Sequence, residues 1–242
     1  MNYTLSQEQQ NVIDTIMRVP PVPRLVVEAR AGAAKTYTMM VAAQKLLERN
    51  PETKIKVLVY GKANQLDIKQ ALPKQVDVTT VHAMAYQHTV KPLSLKLPIR
   101  DSIRASDIPK YIPVATDTIS DSLKLVELFL NSDNISVSKF AEEQDDDFLQ
   151  PIIDDAITVL KFMEKGKINI THNFYLKLFH IKVLNGTISI DPVDVLMVEE
   201  AQDLTQIMVD VAEQYPANQK IYSGDGAQAI LQFAGSVDVL SK

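Results

Sequence analysis

Short runs of apolar, often β-branched residues recur along the chain and predict the strands of a buried sheet. Each run is almost continuously apolar, whereas a strand with one solvated face alternates apolar and polar side chains. Continuous apolar strands are typical of a parallel sheet that is covered on both faces. The five predicted strands are residues 24–29, 54–60, 76–80, 193–199 and 220–225.

Helical spacing of apolar residues appears around the first of these strands. Residues 6–18 begin with Ser6 and carry Gln9 three positions later, which is the arrangement of a capping box. Residues 35–49 place their apolar side chains on one side and end before Pro51. The alternation of strand and helix predicts an α/β fold with a doubly wound parallel sheet.

The middle of the chain, residues 90–185, departs from this alternation. It contains the proline-punctuated stretch K-P-L-S-L-K-L-P-I-R and the acidic run E-E-Q-D-D-D, which is typical of a solvated helix end or loop. We interpret it as a mainly helical subdomain inserted into a sheet domain made of residues 1–89 and 186–242. Its predicted helices lie around residues 120–131, 136–143 and 148–164.

Composition narrows the class of protein. The 242 residues are 46% hydrophobic and 23% charged, which suits one large globular domain or a domain that carries an insertion. The net charge of −5 argues against a generally basic surface for nucleic acid, although a local basic groove is compatible with it. The chain has no cysteine, so disulfides and thiolate metal sites are excluded.

Two sequence features bear on membranes and location. No apolar run approaches the ~18–20 residues that span a bilayer, and we therefore expect no membrane partner. The start, M-N-Y-T-L-S-Q-E-Q-Q, lacks the basic and then apolar pattern of a signal peptide. We expect a cytoplasmic location, or a nuclear or viral one if the source is eukaryotic or a virus.

The stretch E-A-R-A-G-A-A-K-T-Y-T-M, from Glu28 to Met39, nearly matches the phosphate-binding loop G-x-x-x-x-G-K-[ST]. In such a loop, backbone N–H groups wrap the phosphates, and the following helix N-terminus favours the anion. Ala29 and Ala34 replace the two glycines, and Ala34 costs about 1 kcal/mol if its backbone is left-handed. By itself, the pattern fits a nucleotide loop or an ordinary strand–turn–helix connection.

A second acidic segment strengthens the nucleotide interpretation. V-D-V-L-M-V-E-E-A-Q-D-L-T places Glu199 and Glu200 at the carboxyl end of a predicted strand. Phosphoryl transfer needs one carboxylate near Mg²⁺ and another group that orients or deprotonates the attacking water. Taken alone, the pair also fits a purely structural role, as two exposed carboxylates at the end of a strand. Together with the lysine-bearing loop, the pair favours a nucleotide site.

Six further patterns follow one another along the chain: L-S-Q-E-Q-Q (5–10), V-Y-G-K-A (59–63), T-T-V-H-A-M-A-Y (79–86), T-H-N-F-Y-L-K-L-F (171–179), E-E-A-Q-D (199–203) and G-D-G-A-Q-A-I-L-Q-F-A-G-S (224–236). The first resembles the adenine-reading glutamine motif of superfamily 1 DNA helicases of the UvrD/Rep type. The last two resemble the D-E-A-Q-D and G-D-x-x-Q-x-I-Y-x-F-R-G-A motifs of that family. The other three are similar to F-N-K-A, T-V-H-x-L-A-Y and T-H-x-x-Y-L-K-L of its F-box DNA helicase branch. The resemblance covers nearly the whole chain and implies a RecA-like P-loop NTPase domain.

The resemblance also implies roles at a site for ATP and Mg²⁺. Gln9 would read the adenine edge, in addition to or instead of capping its helix. Lys35 and Thr36 would hold phosphate and Mg²⁺, and Glu199 stands at the family's metal-ligating position. The general base would be Glu200, and the γ-phosphate sensor would be Gln228. The remaining residues implied around the nucleotide are Arg30, Ala31, Gly32, Ala33, Ala34 and Tyr37.

Single-stranded DNA is the partner that the resemblance implies. Tyr60, His82 and Phe233 occupy DNA-facing positions of the family, and Lys62 accompanies Tyr60 in the same motif. Base stacking on an aromatic side chain contributes about 1–3 kcal/mol and tolerates any sequence. A purely structural role is the alternative for these residues. Tyr175 and Lys177 are further candidates, for which core packing and a solvated cation are the alternatives.

Several positions depart from the family pattern. Ala34 replaces a glycine, and Glu199 replaces an aspartate at a position where Mg²⁺ geometry is strict. Ala234 stands where the family has an arginine, and Leu231 replaces a frequent tyrosine. We also expect the second RecA-like domain, which completes the ATP pocket in this family, to be missing from this chain. The chain is then either the N-terminal half of a longer helicase or a natural, degenerate single-domain relative.

The function expected from the resemblance is ATP-dependent, 3′-to-5′ translocation on DNA and duplex unwinding, in repair or recombination. We expect this chain by itself to bind ATP weakly and to hydrolyse it little or not at all. The principal alternative is a non-catalytic module that binds nucleotide, DNA or a protein partner. A small-molecule P-loop kinase is disfavoured, because the T-V-H and G-D-x-x-Q patterns have no role in such an enzyme.

Overall fold

The structure is a computed structural model that describes residues 4–30, 33–93, 98–144 and 148–225. The chain divides into two compact units. Unit 1 comprises Met1–Val81 and Ser189–Lys242, and unit 2 comprises His82–Ile188. The domain bounds expected from the sequence, 1–89 with 186–242 and 90–185, remain predictions. Across the described ranges, no helix is both long and apolar enough to cross a bilayer.

Unit 1 is built around a parallel five-stranded sheet, so the predicted α/β class with a parallel sheet is confirmed. The strands are β1 (Arg24–Glu28), β2 (Ile55–Val59), β3 (Asp77–Thr80), β6 (Val193–Glu199) and β7 (Ala217–Gly224). Their spatial order is β1-β7-β6-β2-β3. The helices that accompany them are α1 (Gln7–Ile16), α2 (Lys35–Arg49), α3 (Lys62–Ala71) and α9 (Gln206–Gln214), and a short 3₁₀ turn spans Ala201–Asp203.

The apolar runs of the sequence explain why this sheet is buried on both faces. Alternate strand residues point to opposite faces. Val57, Met197 and Ile221 lie in one core cluster with residues of α1, α2 and α3. Their neighbours Leu58, Leu196 and Tyr222 are fully buried as well. Because both sets are removed from water, the central strands β2 and β6 carry apolar residues on both faces, as expected for a covered parallel sheet.

The start of α1 matches the capping box predicted from Ser6 and Gln9. The Gln9 backbone N–H donates to Ser6 Oγ at 3.2 Å, and the Ser6 backbone N–H donates to Gln9 Oε1 at 2.9 Å. Two helix N–H donors that would otherwise have no partner are satisfied in this way. The cap stabilises the first turn of α1 and so helps to position the Gln9 side chain.

Unit 2 is mainly helical, and the three helices predicted in its middle are confirmed. The α-helices described in this unit are α4 (Val81–Leu93, whose first residue belongs to unit 1), α5 (Ile119–Asn131), α6 (Val137–Glu142), α7 (Gln150–Glu164) and α8 (His172–Leu184). A 3₁₀ turn spans Ala105–Asp107, and two short parallel strands, β4 (Ile99–Arg100) and β5 (Ile170–Thr171), form a separate small sheet.

Lys177, a further DNA candidate from the sequence, is part of the core of unit 2. Its side chain is 2% exposed, and its Nζ donates to Ser132 O at 2.8 Å. The same ammonium lies 4.2 Å from the centroid of the Phe129 ring. A buried ammonium that is held by a carbonyl and a ring face is satisfied internally, so Lys177 has a structural role.

Candidate nucleotide and DNA site

Strand order brings distant segments of unit 1 to one edge of the sheet. Because the strands are parallel, their carboxyl ends lie at the same edge. In the register, Glu28 at the end of β1 pairs with Gly224, and Glu199 at the end of β6 pairs with Ser223. The Ala29 N–H also donates to Gly224 O at 3.0 Å, which ties the start of the lysine-bearing loop to β7. The loop and the acidic segment therefore meet at a common edge.

Lys35, the first residue of α2, lies between these segments. Its Nζ donates to Ala29 O at 3.3 Å and lies 3.9 Å from Glu200 Oε2. The Lys35 side chain is only 9% exposed, whereas that of Glu200 is 31% exposed. The lysine is therefore held at the helix N-terminus, where both its own charge and the helix dipole favour an anion.

Two non-glycine residues at this edge have left-handed backbones. Ala34, the N-cap of α2, has φ 53° and ψ 43°, which is the conformation that would make the missing glycine costly. Glu200 has φ 53° and ψ 48° and precedes the Ala201–Asp203 turn. Such backbones cost energy in L-residues and cluster at functional sites. The turn at Glu200 directs its side chain to the lysine, whereas the preceding residue, Glu199, is buried.

Glu199 is a buried carboxylate at the end of β6. It is 2% exposed, and its Oε2 has no hydrogen-bond partner in the described part of the chain. Burial raises the pKa of Glu199 to about 7; the nearby Glu200 charge adds to the rise, and Lys35 opposes it. An unpartnered buried carboxylate oxygen fits a divalent cation, which would supply the missing positive partner.

A Mg²⁺ ion that is bound together with phosphates needs only a few ligands from the protein. In the ranges that the structure describes, no group of three or more His, Asp and Glu side chains is arranged to hold a metal ion. Mg²⁺ at phosphate sites is held by one or two carboxylates together with substrate phosphates. Thr36, which lies half-buried in the first turn of α2, and Glu199 are the protein donors that the sequence predicted.

Gln202, Asp203 and Asp225 are polar residues at this edge to which the sequence patterns assigned no role. Gln202 is 5% exposed; its Nε2 donates to Glu200 Oε2 at 2.8 Å, and its Oε1 accepts the Asp225 backbone N–H at 3.1 Å. The pKa of Asp203 is raised by burial and then by the Glu200 charge, against the effect of Lys35. Gln202 thus links the candidate base to the end of β7. The only sequence signal was their position inside E-E-A-Q-D and G-D.

The remaining nucleotide candidates lie around the lysine-bearing loop. Gln9 Nε2 donates to Ala33 O at 3.3 Å, so this residue contacts the loop while it caps α1. Arg30 is exposed, and its carbonyl accepts the Ala33 N–H at 3.1 Å. Tyr37 is half-buried in the first turn of α2. Ala31, Gly32 and Gln228 lie outside the described residues.

The DNA-facing candidates divide between the two units. In unit 1, Tyr60 is half-buried directly after β2, and Lys62 is exposed at the start of α3. His82 belongs to unit 2. Phe233, like the departures Leu231 and Ala234, lies outside the residues that the structure describes.

In unit 2, His82 belongs to a cluster of rings. Its centroid lies 6.1 Å from that of His172 and 6.0 Å from that of Tyr175, and the Tyr175 hydroxyl is 2.9 Å from His172 Nδ1. Burial lowers the pKa of His82, the His172 charge lowers it further, and a hydrogen bond with Asn173 opposes both effects. Tyr175 is 4% exposed, so its ring packs inside this cluster. The cluster favours a neutral His82.

Replacing Ala34 with glycine is expected to stabilise the protein. The left-handed backbone of an L-residue costs about 1–2 kcal/mol, and the greater freedom of glycine in the unfolded chain offsets about 0.5–1 kcal/mol of the relief. We expect Ala34→Gly to raise the free energy of unfolding by up to about 1.5 kcal/mol in urea titrations.

The neighbouring Ala33 provides a matched control, because it is not among the described residues with positive φ. Ala33→Gly brings the same entropy cost without relief of strain, so we expect it to destabilise the protein by about 0.5–1 kcal/mol. Equal effects of the two substitutions would show that Ala34 is not strained.

Comparison with known proteins gives a distant similarity to a helicase. The chain is similar to F-box DNA helicase protein 1 of Schizosaccharomyces pombe, with 23% identity over 262 aligned residues. The match covers 96% of this chain and 28% of the relative, so the chain spans little more than a quarter of that protein's length. No protein-family model matches the chain. The similarity supports a distant relationship to helicases.

Proposed function

We propose that this chain is the ATP-binding part of an ATP-dependent DNA helicase of superfamily 1, of the UvrD/Rep type and nearest to its F-box branch. The observation that carries the proposal is the ion pair of Lys35 with Glu200, 3.9 Å apart at the carboxyl edge of a parallel sheet and at a helix N-terminus. The ordered motifs and the similarity to a helicase over 96% of the chain support it.

On the nucleotide side, each residue of the site has a proposed task. Lys35 leaves Glu200 and pairs with phosphate, which frees the Glu200 carboxylate to accept a proton from water. Gln202 holds Glu200 in place through its 2.8 Å hydrogen bond. Glu199 and Thr36 would hold Mg²⁺, which would neutralise charge on the phosphates of bound ATP. Gln9 reads adenine, and Gln228 reports the γ-phosphate.

On the DNA side, Tyr60, Lys62, His82 and Phe233 are proposed to hold a single strand. An aromatic ring stacks on bases without regard to their identity, and a lysine neutralises phosphate, which suits translocation along any sequence. The 3′-to-5′ direction is proposed from the resemblance to UvrD/Rep-type helicases alone. We assign unit 1 to the first motor domain, 1A, and unit 2 to its inserted subdomain, 1B. Repair or recombination of DNA is the proposed process, at a cytoplasmic, nuclear or viral location.

Arginines from a second RecA-like domain are proposed to complete the ATP pocket. Without arginine fingers, phosphoryl transfer can be slower by about 10³–10⁵-fold. We therefore propose that this chain alone binds ATP and hydrolyses it slowly. Robust DNA-stimulated hydrolysis by the isolated chain, absent from Lys35→Ala, would contradict this part of the proposal. The alternative is a non-catalytic module whose same surface binds DNA or a protein partner.

Titration with fluorescent single-stranded DNA tests the DNA surface. We expect Tyr60→Ala to weaken binding by about 1–3 kcal/mol, because a stacking ring is lost. Lys62→Ala is expected to reduce the slope of log affinity against log salt by about 0.7, since one phosphate contact on a single strand is lost.

Lys69→Ala is the control for this titration, because Lys69 is an exposed lysine on the same helix, α3. It is expected to leave both the affinity and the salt slope unchanged. Absence of DNA binding at low salt, with and without ATP, would favour the version of the alternative that binds a protein partner.

A further inference from the structure

A serine lies close to the carboxyl end of β7, directly after two buried residues. Ser223 follows Ile221 and Tyr222 and is itself 1% exposed. Among the residues that the structure describes, its Oγ has no hydrogen-bond partner. A buried hydroxyl in this state has lost the hydrogen bonds that it makes with water in the unfolded chain. The hydroxyl is therefore costly unless another state of the protein gives it a partner.

The register of the sheet places a carboxylate beside this hydroxyl. Ser223 pairs with Val27 of β1 on one side and with Glu199 of β6 on the other. Because paired residues of neighbouring strands point to the same face of a sheet, their side chains are neighbours. Val27 is apolar, whereas Glu199 offers a buried Oε2 that also lacks a partner in the described ranges. A potential donor and a potential acceptor, both without a partner, thus belong to adjacent side chains.

The helix that follows the lysine-bearing loop covers the same face of the sheet. Residues two positions apart in a strand share a face. Met197 and Ile221, which stand two positions earlier in β6 and β7, lie in the core cluster with residues of α2. Thr36, the other proposed metal ligand, is in the first turn of α2. Glu199 and Ser223 therefore point to the side of the sheet on which the proposed cation site lies.

We propose that Ser223 is a positioning residue for Glu199, an inference that rests on the proposed function, in which Glu199 holds Mg²⁺. In the metal-bound state the Ser223 hydroxyl donates to Glu199 Oε2 and leaves the other carboxylate oxygen for the cation. The long glutamate side chain has several rotatable bonds, and Mg²⁺ demands strict ligand geometry. A hydrogen bond that selects one orientation of the carboxylate therefore favours metal binding. The hydroxyl without a partner in the ligand-free protein gains one in this state.

Calorimetric titration of the full chain with ATP, in Mg²⁺ and in a metal chelator, tests the inference. We expect Ser223→Ala to weaken the binding of ATP in Mg²⁺ by about 10–100-fold, which is the usual effect of removing a hydrogen bond to a metal ligand. In the chelator the affinity is expected to stay within about twofold of the wild type, because Lys35 contacts phosphate without the metal. A purely structural role would change both affinities or neither.

A double-mutant cycle with Glu199→Gln shows whether the hydroxyl acts through Glu199. In the Glu199→Gln background the metal ligand is already lost, so Ser223→Ala is expected to change the affinity for ATP in Mg²⁺ by no more than about twofold. Equal effects of Ser223→Ala in the two backgrounds, or no effect in either, would overturn the inference and leave the nucleotide site intact. A wild-type chain that binds no ATP in Mg²⁺ would overturn the proposed function and this inference together.

The stability of the ligand-free protein gives a second readout, for which Ser122 is the matched control. Ser122 in α5 is 0% exposed, and its Oγ donates to Thr118 O at 3.0 Å. Ser122→Ala is expected to lower the midpoint of thermal unfolding by about 2–4 °C and to leave the affinity for ATP unchanged. Ser223→Ala removes a hydroxyl without a partner and is expected not to lower the midpoint. If it lowers the midpoint as much as Ser122→Ala does, the fold already satisfies the Ser223 hydroxyl, and the inference is wrong.

Discussion

Substitution of Lys35 by alanine is expected to weaken the binding of ATP in the presence of Mg²⁺ by about 10–100-fold. A hydrogen bond to a charged group contributes about 1.5–3 kcal/mol, and each 1.4 kcal/mol is a tenfold change in affinity. The Lys35 side chain is 9% exposed, and it lies at the N-terminus of α2. No other residue in the first turn of that helix carries a positive charge. Calorimetric titration of the wild type and the variant measures the change.

Lys45 on the same helix is the matched control for this experiment. It lies ten residues after Lys35, about 15 Å along the helix axis. Lys45→Ala removes the same charge from the protein and is expected to leave the affinity for ATP unchanged within about twofold. Equal affinities of the wild type and Lys35→Ala for ATP would falsify the nucleotide site.

Neutralising Glu199 is expected to remove a large pH dependence of stability. The pKa of this carboxyl is raised from 4.5 to about 7 in the folded protein, first by burial and then by Glu200. Between these two values the folded state binds a proton that the unfolded state has released, so stability falls as the pH rises through this window. The rise of about 2.5 in pKa corresponds to a loss on the order of 3 kcal/mol by pH 8.

Glu199→Gln carries no ionisable group, so its free energy of unfolding relative to the wild type is expected to rise between about pH 4.5 and pH 7 and then to level off. Urea titrations with a metal chelator measure this difference across the range. Glu52→Gln is the control, since Glu52 is an exposed residue of unit 1, and it is expected to follow the wild-type profile. If the difference in free energy of unfolding between Glu199→Gln and the wild type does not change with pH, burial does not raise the pKa of Glu199.

Sequence patterns found the strands and helices whose burial is one-sided or continuous. They missed α3, α4, α8 and α9, for which the reasons differ. In α8 the buried residues surround the helix and include Lys177 and His180, so no polar face marks its period. In α3 the sequence K-A-N-Q-L-D-I-K-Q-A is mostly polar, so few apolar residues reveal its inner face.

The candidate site was predictable in its residue types and not in its geometry. The lysine-bearing loop and the two glutamates were recognised from local patterns. The missing glycine marked Ala34 as costly if its backbone were left-handed, and the structure shows that it is. Gln202 was not recognised, because its role consists of two hydrogen bonds that depend on how the ends of β6 and β7 lie together. Local sequence contains no record of such a pairing.

The sequence by itself determined the secondary elements with clear periodicity, the cap at Ser6 and the chemical groups available for phosphate and metal. The tertiary structure alone decided that Lys35 and Glu200 lie 3.9 Å apart, that the Lys177 ammonium is buried, and that the Glu199 carboxylate is buried at the end of β6. The physical reason is range. Capping and amphipathicity act between residues a few positions apart, whereas the order β1-β7-β6-β2-β3 arises from packing between segments far apart in the chain.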